Sequence, residues 1–417
     1  MFGEQTGTKL MGGGIKGLRE LEEHKGFNNV GIGFDTTQAC QARCPTCFYL
    51  RDQSMPLHMS LDNFREITGQ AVDAGFKELY LLGGDPTAHP QSLEILRYAT
   101  GLKAFNPVVF VTNGLRLADE RYCQEVADTG CIVAVQRHVI GNDERRQRVQ
   151  DTVMGVPRTL ETSNRAFENI ERYFPPDRVA VQCCITKPVV EHGDILDVFR
   201  YAREHGYIPM MEYTKEGCGF RRGCELDVPR GEVLRLYQEL QRIDQEHFPN
   251  QIARILTPQI YGGTCHLPET GVHVKVNGDI IPCVGHQKVV LGNSLFGVKY
   301  GADGKVSKTG VSLGEIITDH PLRDAIRNPH EFVHGYCRNE CEYFDDCTAG
   351  CRGSTYDITG CYRASFPYCM NIPDDVTLEQ LVPANCDGCA FEQHPSCGLD
   401  REKILDGLER TGYSFGR

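Results

Sequence analysis

The stretch Val30-Gly-Ile-Gly-Phe-Asp35 runs after four residues into Cys40-Gln-Ala-Arg-Cys44-Pro-Thr-Cys47. A short apolar run of this kind reads as a buried strand. The loop behind it carries three cysteines in the spacing C-x3-C-x2-C. Three thiolates so placed can wrap three irons of one cubane cluster and leave the fourth iron without a protein ligand. A structural zinc ion wants a fourth ligand close by, and the nearest histidine, His58, lies eleven residues past Cys47. An electron-carrier cluster takes four cysteines. The spacing therefore points to a catalytic cluster whose open iron can bind a small molecule through an amine and a carboxylate.

Outward from this loop, residues 30–250 alternate between two patterns. The β-rich runs are Val30–Asp35, Glu78–Leu82, Val108–Thr112, Cys131–Gln136, Val179–Thr186 and Ile208–Tyr213. Between them, Leu61–Ala74, Asp119–Asp128, Glu161–Tyr173 and Asp194–His205 carry apolar residues at helical spacing, with Ser60 as an N-cap. Gly75, Gly130 and Gly206 fall where these helices stop. The alternation predicts an α/β fold with a parallel sheet and right-handed crossovers. Six β/α units predict a partial, TIM-like barrel, with an open doubly wound sheet as the alternative. In either, functional residues belong at the C-terminal ends of the strands. Three features obey that rule: the cysteine loop after the first strand, Gly83-Gly84-Asp85-Pro86 after the second, and Thr112-Asn113-Gly114 at the end of the third.

Composition narrows the function. The 417 residues carry a net charge of −12 and no basic stripe, so a nucleic-acid partner is not expected. The charged stretch around Asn142–Val149 mixes both signs and reads as a solvated helix face. No run of about 18 apolar residues predicts a membrane span. The N-terminal MFGEQTGTKLMGGGIKG lacks the apolar core of an export signal, so a cytoplasmic location is expected. A reducing compartment disfavours disulfides, so the 20 cysteines point to metal. Three lie at 40–47 and eleven between 265 and 397. Cys123, Cys131, Cys183 and Cys184 sit in or beside apolar segments and are expected to be small buried apolar side chains.

The cysteine loop and the Gly83-Gly84-Asp85-Pro86 turn together resemble the radical S-adenosylmethionine (radical SAM) superfamily, whose C-x3-C-x2-C loop follows the first strand of a partial (β/α)6 barrel. The resemblance implies a [4Fe–4S] cluster on Cys40, Cys44 and Cys47. It implies that Gly83, Gly84 and Asp85 hold the amino group of SAM, two glycines allowing close approach and a carboxylate pairing with an ammonium. Asp85 stands where glutamate is commoner, and Thr46 where an aromatic residue is common. By the same resemblance Thr112, Asn113 and Gln136 are expected at the cofactor.

The C-terminal cysteines extend the resemblance. Val272–Val276, Asn277-Gly278 and Asp279–Pro282 read as a β-hairpin with a two-residue turn, which brings Cys265 and Cys283 together. Cys337-x3-Cys341-x5-Cys347-x3-Cys351 and Cys369 follow, with Leu291-Gly292-Asn293 between. This set resembles the SPASM domain, a cysteine-rich extension with a hairpin and short helices that holds two auxiliary [4Fe–4S] clusters. Position for position, Cys337, Cys341, Cys347 and Cys369 hold the outer cluster. Cys265, Cys283 and Cys351 hold the inner one. No cysteine occupies Thr257–Thr264, where the fourth inner ligand usually lies, so either an iron is open or Cys386, Cys389, Cys397, Cys218 or Cys224 completes the site. Cys386, Cys389 and Cys397 also form a candidate zinc clip with Cys361 or His394.

The expected division is an extension at 1–29, the barrel at 30–250, the auxiliary-cluster domain at 251–400 and a tail at 401–417. The resemblance implies a radical SAM oxidoreductase: reductive cleavage of SAM to a 5′-deoxyadenosyl radical, hydrogen abstraction from a substrate C–H bond, and two-electron oxidation with auxiliary clusters as electron acceptors. A flavodoxin- or ferredoxin-type protein would donate electrons. Only about 29 residues precede the first strand, fewer than a leader-binding domain occupies. A small polar metabolite such as a sugar or aminocyclitol is therefore favoured over a peptide or protein substrate. A radical epimerase is the alternative within the same chemistry. Glu212–Asp227, with Cys218, Arg221, Arg222 and Cys224, is expected to line the substrate side.

Overall fold

Six parallel strands form the first half: β1 (Gly31–Thr37), β2 (Glu78–Gly83), β3 (Val108–Thr112), β4 (Ile132–Gln136), β5 (Val179–Ile185) and β6 (Ile208–Tyr213). The computed structural model describes residues 29–47, 49, 55–215, 224–249, 270–347, 349–369, 371–373, 375–385, 387, 389 and 391–394. Crossover helices are α1 (Leu61–Asp73), α2 (Ser92–Gly101), α3 (Glu120–Ala127), α4 (Glu144–Met154), α5 (Leu160–Tyr173), α6 (Lys187–Glu191) and α7 (Asp194–Glu204), and α8 (Arg230–His247) follows β6. The strands pair in chain order from β1 to β6, and among the described residues β6 pairs with β5 alone, so the described sheet does not close into a barrel. This is the predicted partial barrel.

The sheet does not end at β1. β7 (Gly271–Val274) pairs parallel to β1, and β8 (Asp279–Ile281), β9 (Gly292–Asn293), β10 (Val298–Tyr300) and β11 (Val306–Thr309) continue it antiparallel. One 11-stranded sheet thus joins the barrel to the cysteine-rich half. The short helices there are α9 (Leu313–Ile317), α10 (Pro321–Arg327), α11 (Pro329–Phe332), α12 (Tyr336–Asn339), α13 (Arg352–Thr359) and α14 (Leu378–Leu381). No described helix is long and apolar enough to cross a membrane.

Strand periodicity sorts the side chains onto two faces. Phe34, Leu79, Leu81, Phe110, Val133, Val181 and Cys183 pack under the helices in the main core. Val109, Ile132, Ala134, Ala180 and Ile208 form a second apolar layer on the concave face. Further along the same strands that alternation places Asp35, Asn113, Gln136, Gln182, Cys184 and Glu212 on the concave side.

Three expectations need correction. The hairpin turn is longer than Asn277-Gly278 alone. Lys275 N–H donates to Asp279 O (2.8 Å) and Gly278 N–H to Lys275 O (2.8 Å). Gly278 sits at φ +85°, the left-handed residue that closes a three-residue loop with a bulge. The Asn142–Val149 charges are not all solvated. Arg145 in α4 forms a two-pronged bond (2.5 and 2.8 Å) with Asp194, which is fully buried at the start of α7. Cys184 does not share the burial of Cys123, Cys131 and Cys183, because consecutive strand residues face opposite sides.

His138, just past β4, is buried, and neither ring nitrogen has a hydrogen-bond partner among the described residues. Burial lowers its imidazole from 6.5 to about 4. The unfolded chain therefore binds more protons than the folded one between these values. Stability should fall as pH drops from about 6.5 towards 4, by at most about 1.4 kcal/mol per pH unit from this group. Thermal unfolding across that window should show a shallower acid loss for His138→Leu than for wild type.

Candidate metal centre

The three-cysteine loop leaves β1 at the rim and is braced from several sides. Gly84 N–H donates to Thr37 O and Asp85 N–H to Ala39 O, both at 2.7 Å, pinning the turn after β2 to the residues that precede Cys40. The two glycines are required here. A Cβ on Gly84 would lie 2.5 Å from Gln38 O, and one on Gly83 would lie 3.1 Å from Thr37 N. Arg43 N–H donates to Met154 O (2.8 Å) at the end of α4. Cys47 N–H donates to Cys44 O (3.1 Å), closing the loop on itself.

Gly155, the left-handed cap of α4 at φ +64°, packs on the Arg43 carbonyl, whose carbon a Cβ would approach to 2.5 Å. Gly155→Ala should cost about 2–4 kcal/mol, combining left-handed strain with overpacking. Chemical unfolding together with iron content would show a lower midpoint and less iron per chain.

Asp85 sits below the loop with 1% exposure. Its carboxylate accepts Thr87 N–H (2.9 Å), Thr87 Oγ1–H (2.6 Å), Thr112 Oγ1–H (2.9 Å) and Asn113 N–H (2.7 Å). Four donors roughly fill the acceptor capacity of a carboxylate. Burial pushes its carboxyl above the usual range, and these hydrogen bonds oppose that shift. Asp85 therefore ties the end of β2 to the end of β3 rather than presenting free oxygens. Asn113 Nδ2 donates to Gln41 Oε1 (3.0 Å) and reaches Cys40 Sγ (3.6 Å). Thus Gly83, Gly84, Asp85, Thr112 and Asn113 converge beside Cys40. Gln136 is half-buried at the end of β4, and no hydrogen bond links it to that group. Burial, then the Asp85 charge, pushes the Cys40 thiol up to about 11. A bound metal ion deprotonates such a thiol outright. His58 bonds Thr37 Oγ1 (2.8 Å) and meets His89 edge to face.

Beside the loop, the concave face holds polar groups of which only Glu212 was expected from the sequence. His273 Nε2 lies 2.7 Å from Asp35 Oδ1 in a buried pair across β7 and β1. Tyr49 Oη, two residues past Cys47, donates to Asp35 and lies 3.3 Å from His273 Nε2. Gln182 Nε2 donates to Glu212 Oε2 (2.8 Å). Partial burial raises the Cys184 thiol, helped by the charges of Glu212, Cys183, Cys44 and Cys47. The available signal was polar residues at alternate positions within apolar strands.

In the C-terminal half, Cys337, Cys341, Cys347 and Cys369 line one small cavity with Phe344 and Phe366. Ala349 N–H donates to Cys347 Sγ (3.1 Å). Burial pushes Cys347 to about 11 and Cys369 to about 12. Among the described residues no three His, Cys, Asp or Glu side chains close on a single ion. Four cysteines spread around a cavity suit a multi-iron group, whose ligands bind separate irons. Cys283 and Cys351 are buried nearby. Gly285 N–H donates to Cys283 Sγ (3.3 Å), and Ser354 N–H at the start of α13 donates to Cys351 Sγ (3.5 Å). Cys361 is buried, and Cys224 and Cys389 are half-buried. Cys218, Arg221, Arg222, Cys265, Cys386 and Cys397 lie outside the described residues. Arg230 donates to the carbonyls of Cys369 (3.0 Å) and Ile372 (2.9 Å), and Tyr368 Oη to Val228 O (2.6 Å), which fastens the last cysteine to the barrel side.

Residues 34–202 match the family model described as the Radical SAM superfamily. The chain is 25% identical over 366 residues to an AdoMet-dependent heme synthase of Methanosarcina barkeri, covering 82% of this chain and 96% of that protein. It is 23% identical to the mycofactocin maturase MftC of Mycobacterium ulcerans, covering 81% and 87%. A structure of native anSMEcpe with bound AdoMet and the Kp18Cys peptide shares the fold, with a TM-score of 0.58 at 14% identity over 92% of this chain and 96% of that one.

Proposed function

The chain belongs to the radical SAM superfamily, and from that premise we propose that it is a SPASM-type oxidoreductase acting on an unactivated C–H bond of an organic metabolite. Cys40, Cys44 and Cys47 would hold the SAM-binding [4Fe–4S] cluster. The outer auxiliary cluster would take Cys337, Cys341, Cys347 and Cys369, and the inner one Cys265, Cys283 and Cys351. When bound, the first cluster and SAM supply one-electron reduction and hydrogen abstraction.

The observation that carries this reading is the Cys40–Cys47 loop, braced on the rim with its three cysteines half-buried while the nearest histidine in sequence is committed to Thr37. Gly83, Gly84, Asp85, Thr112, Asn113 and Gln136 would form the SAM side of the rim. Because the Asp85 oxygens are engaged, its part is to fix the turn, and backbone carbonyls beside it would meet the ammonium. Asp35, His273, Gln182 and Glu212 would orient the substrate, and Asp35, His273 or Glu212 would accept its proton.

A metabolite is favoured because the heme synthase relative aligns over nearly its whole length. A heme precursor is the first compound to test. A peptide is the second reading, favoured by the mycofactocin maturase and by the peptide-bound structure of the same fold. A flavodoxin- or ferredoxin-type donor would reduce the first cluster. The test is anaerobic reconstitution followed by SAM, dithionite and a panel of heme precursors, sugars and short peptides. Heme precursor should stimulate 5′-deoxyadenosine release and lose two electrons per turnover. Stimulation by peptides alone would favour the second reading. No SAM cleavage with any compound would refute both.

A further inference from the structure

Three residues beyond Cys283 stands His286, 3% exposed, with its Nδ1 3.0 Å from Cys283 Sγ. The turn that places it is tight, with His286 N–H donating to Cys283 O (2.9 Å). The ring stacks on Tyr362 (5.7 Å, 12°), which stacks in turn on Tyr356 (4.1 Å, 10°). Nε2 is buried without a hydrogen-bond partner among the described residues. A neutral imidazole carries one ring proton. On Nε2 that proton would be a buried, unmet donor, costing about 1–3 kcal/mol. On Nδ1 it faces a sulfur. Ligation through Nδ1 would leave Nε2–H without the partner that a ligand histidine has, and ligation through Nε2 is the alternative that the nitrogen-coupling measurement below separates. The donor role is the better fit.

Arg352 stands at the start of α13, 3% exposed. It donates to the carbonyls of Tyr362 (2.9 Å), Ala364 (2.6 Å) and Ala349. Cys351 of the inner set precedes it directly, and Ala349, whose carbonyl it holds, donates its N–H to Cys347 Sγ of the outer set (3.1 Å), so residues of both auxiliary sets border it. The two groups are neighbours. A Cβ on Gly353 would lie 2.9 Å from the Gly285 carbonyl carbon and 3.3 Å from His286 Nδ1. A buried cation needs a compensating anion, and thiolate-ligated iron supplies one.

We propose that His286 and Arg352 form an electropositive, hydrogen-bonding shell that raises the reduction potential of the auxiliary site and makes it an electron acceptor. The inference rests on the auxiliary-cluster reading above. A donor hydrogen bond to a ligand sulfur and a nearby cation both favour the state with the extra electron. His286 is thus a positioning residue that acts through Cys283, and the shell sets the direction of electron flow towards substrate oxidation.

The test compares the full, anaerobically reconstituted chain with His286→Phe and His286→Asn by EPR-monitored redox titration and iron analysis. Phenylalanine keeps the ring volume and removes the donor. Asparagine can return an N–H near the Nδ1 position. His286→Phe should make one auxiliary cluster about tenfold harder to reduce, a shift of about 59 mV for one electron. His286→Asn should recover most of that, with iron content unchanged in both. An unmoved potential at wild-type iron content would overturn the proposal and leave the function standing. Strong nitrogen coupling to the cluster in wild type would make His286 a ligand and overturn the donor role. A wild-type chain with no iron beyond the first cluster would overturn the underlying reading itself.

Discussion

Replacing Cys44 with alanine is expected to reduce SAM cleavage to background while leaving the C-terminal iron in place. The loop offers three sulfurs, and removing the middle one leaves two, too few to hold a cubane against loss. The fold should survive, because the bonds that brace the loop are made mostly by backbone: Gly84 to Thr37, Asp85 to Ala39 and Arg43 to Met154. Roughly one third of the iron should be lost if three four-iron clusters are present. Anaerobic iron analysis with 5′-deoxyadenosine quantification checks both halves. Full SAM cleavage by Cys44→Ala would remove the loop from the chemistry.

Asp85→Ala should be the most destabilising single change at the rim. It leaves four inward-facing donors without an acceptor: two on Thr87, one on Thr112 and the Asn113 N–H. At about 1–3 kcal/mol for each unmet buried donor, a loss of at least 3 kcal/mol is expected. Thr112 and Asn113 would also lose their register beside Cys40, so SAM affinity should fall with stability. Asp85→Glu is not expected to rescue either property, although glutamate is commoner in this motif. The site is 1% exposed, and one more methylene there costs about 1–3 kcal/mol in overpacking. Denaturant unfolding and equilibrium dialysis with SAM measure the two effects. A stable Asp85→Ala that lost only SAM binding would show that the carboxylate acts on the cofactor directly.

The barrel was legible because its strands are short apolar runs separated by well-marked helices. Ser60 does cap α1, accepting from Asn63 N–H (3.1 Å), and Gly75, Gly130 and Gly206 all take positive φ. α4 was obscured by its charge. Its run Glu-Arg-Arg-Gln-Arg hides the buried Val149, Val153 and Met154 at the far end. The cysteine sets were grouped by spacing, which is local. The outer four do meet around one cavity.

Pairings made by the fold itself were not legible. Asp35 and His273 are 238 positions apart, and only the parallel pairing of β7 with β1 brings them together. Cys183 and Cys184 look alike in sequence and differ only in which side of β5 they face. The family resemblance also assigned Asp85 by motif. Only the hydrogen bonds around it reveal that its oxygens serve the chain first.

The most direct measurement is Mössbauer and pulsed electron–nuclear spectroscopy on the anaerobic chain, with auxiliary cysteines replaced, before and after adding labelled SAM. One four-iron cluster should show a single iron that changes environment and couples to the SAM amino nitrogen and carboxylate. Zinc in place of iron, or a fully ligated cluster indifferent to SAM, would contradict this reading.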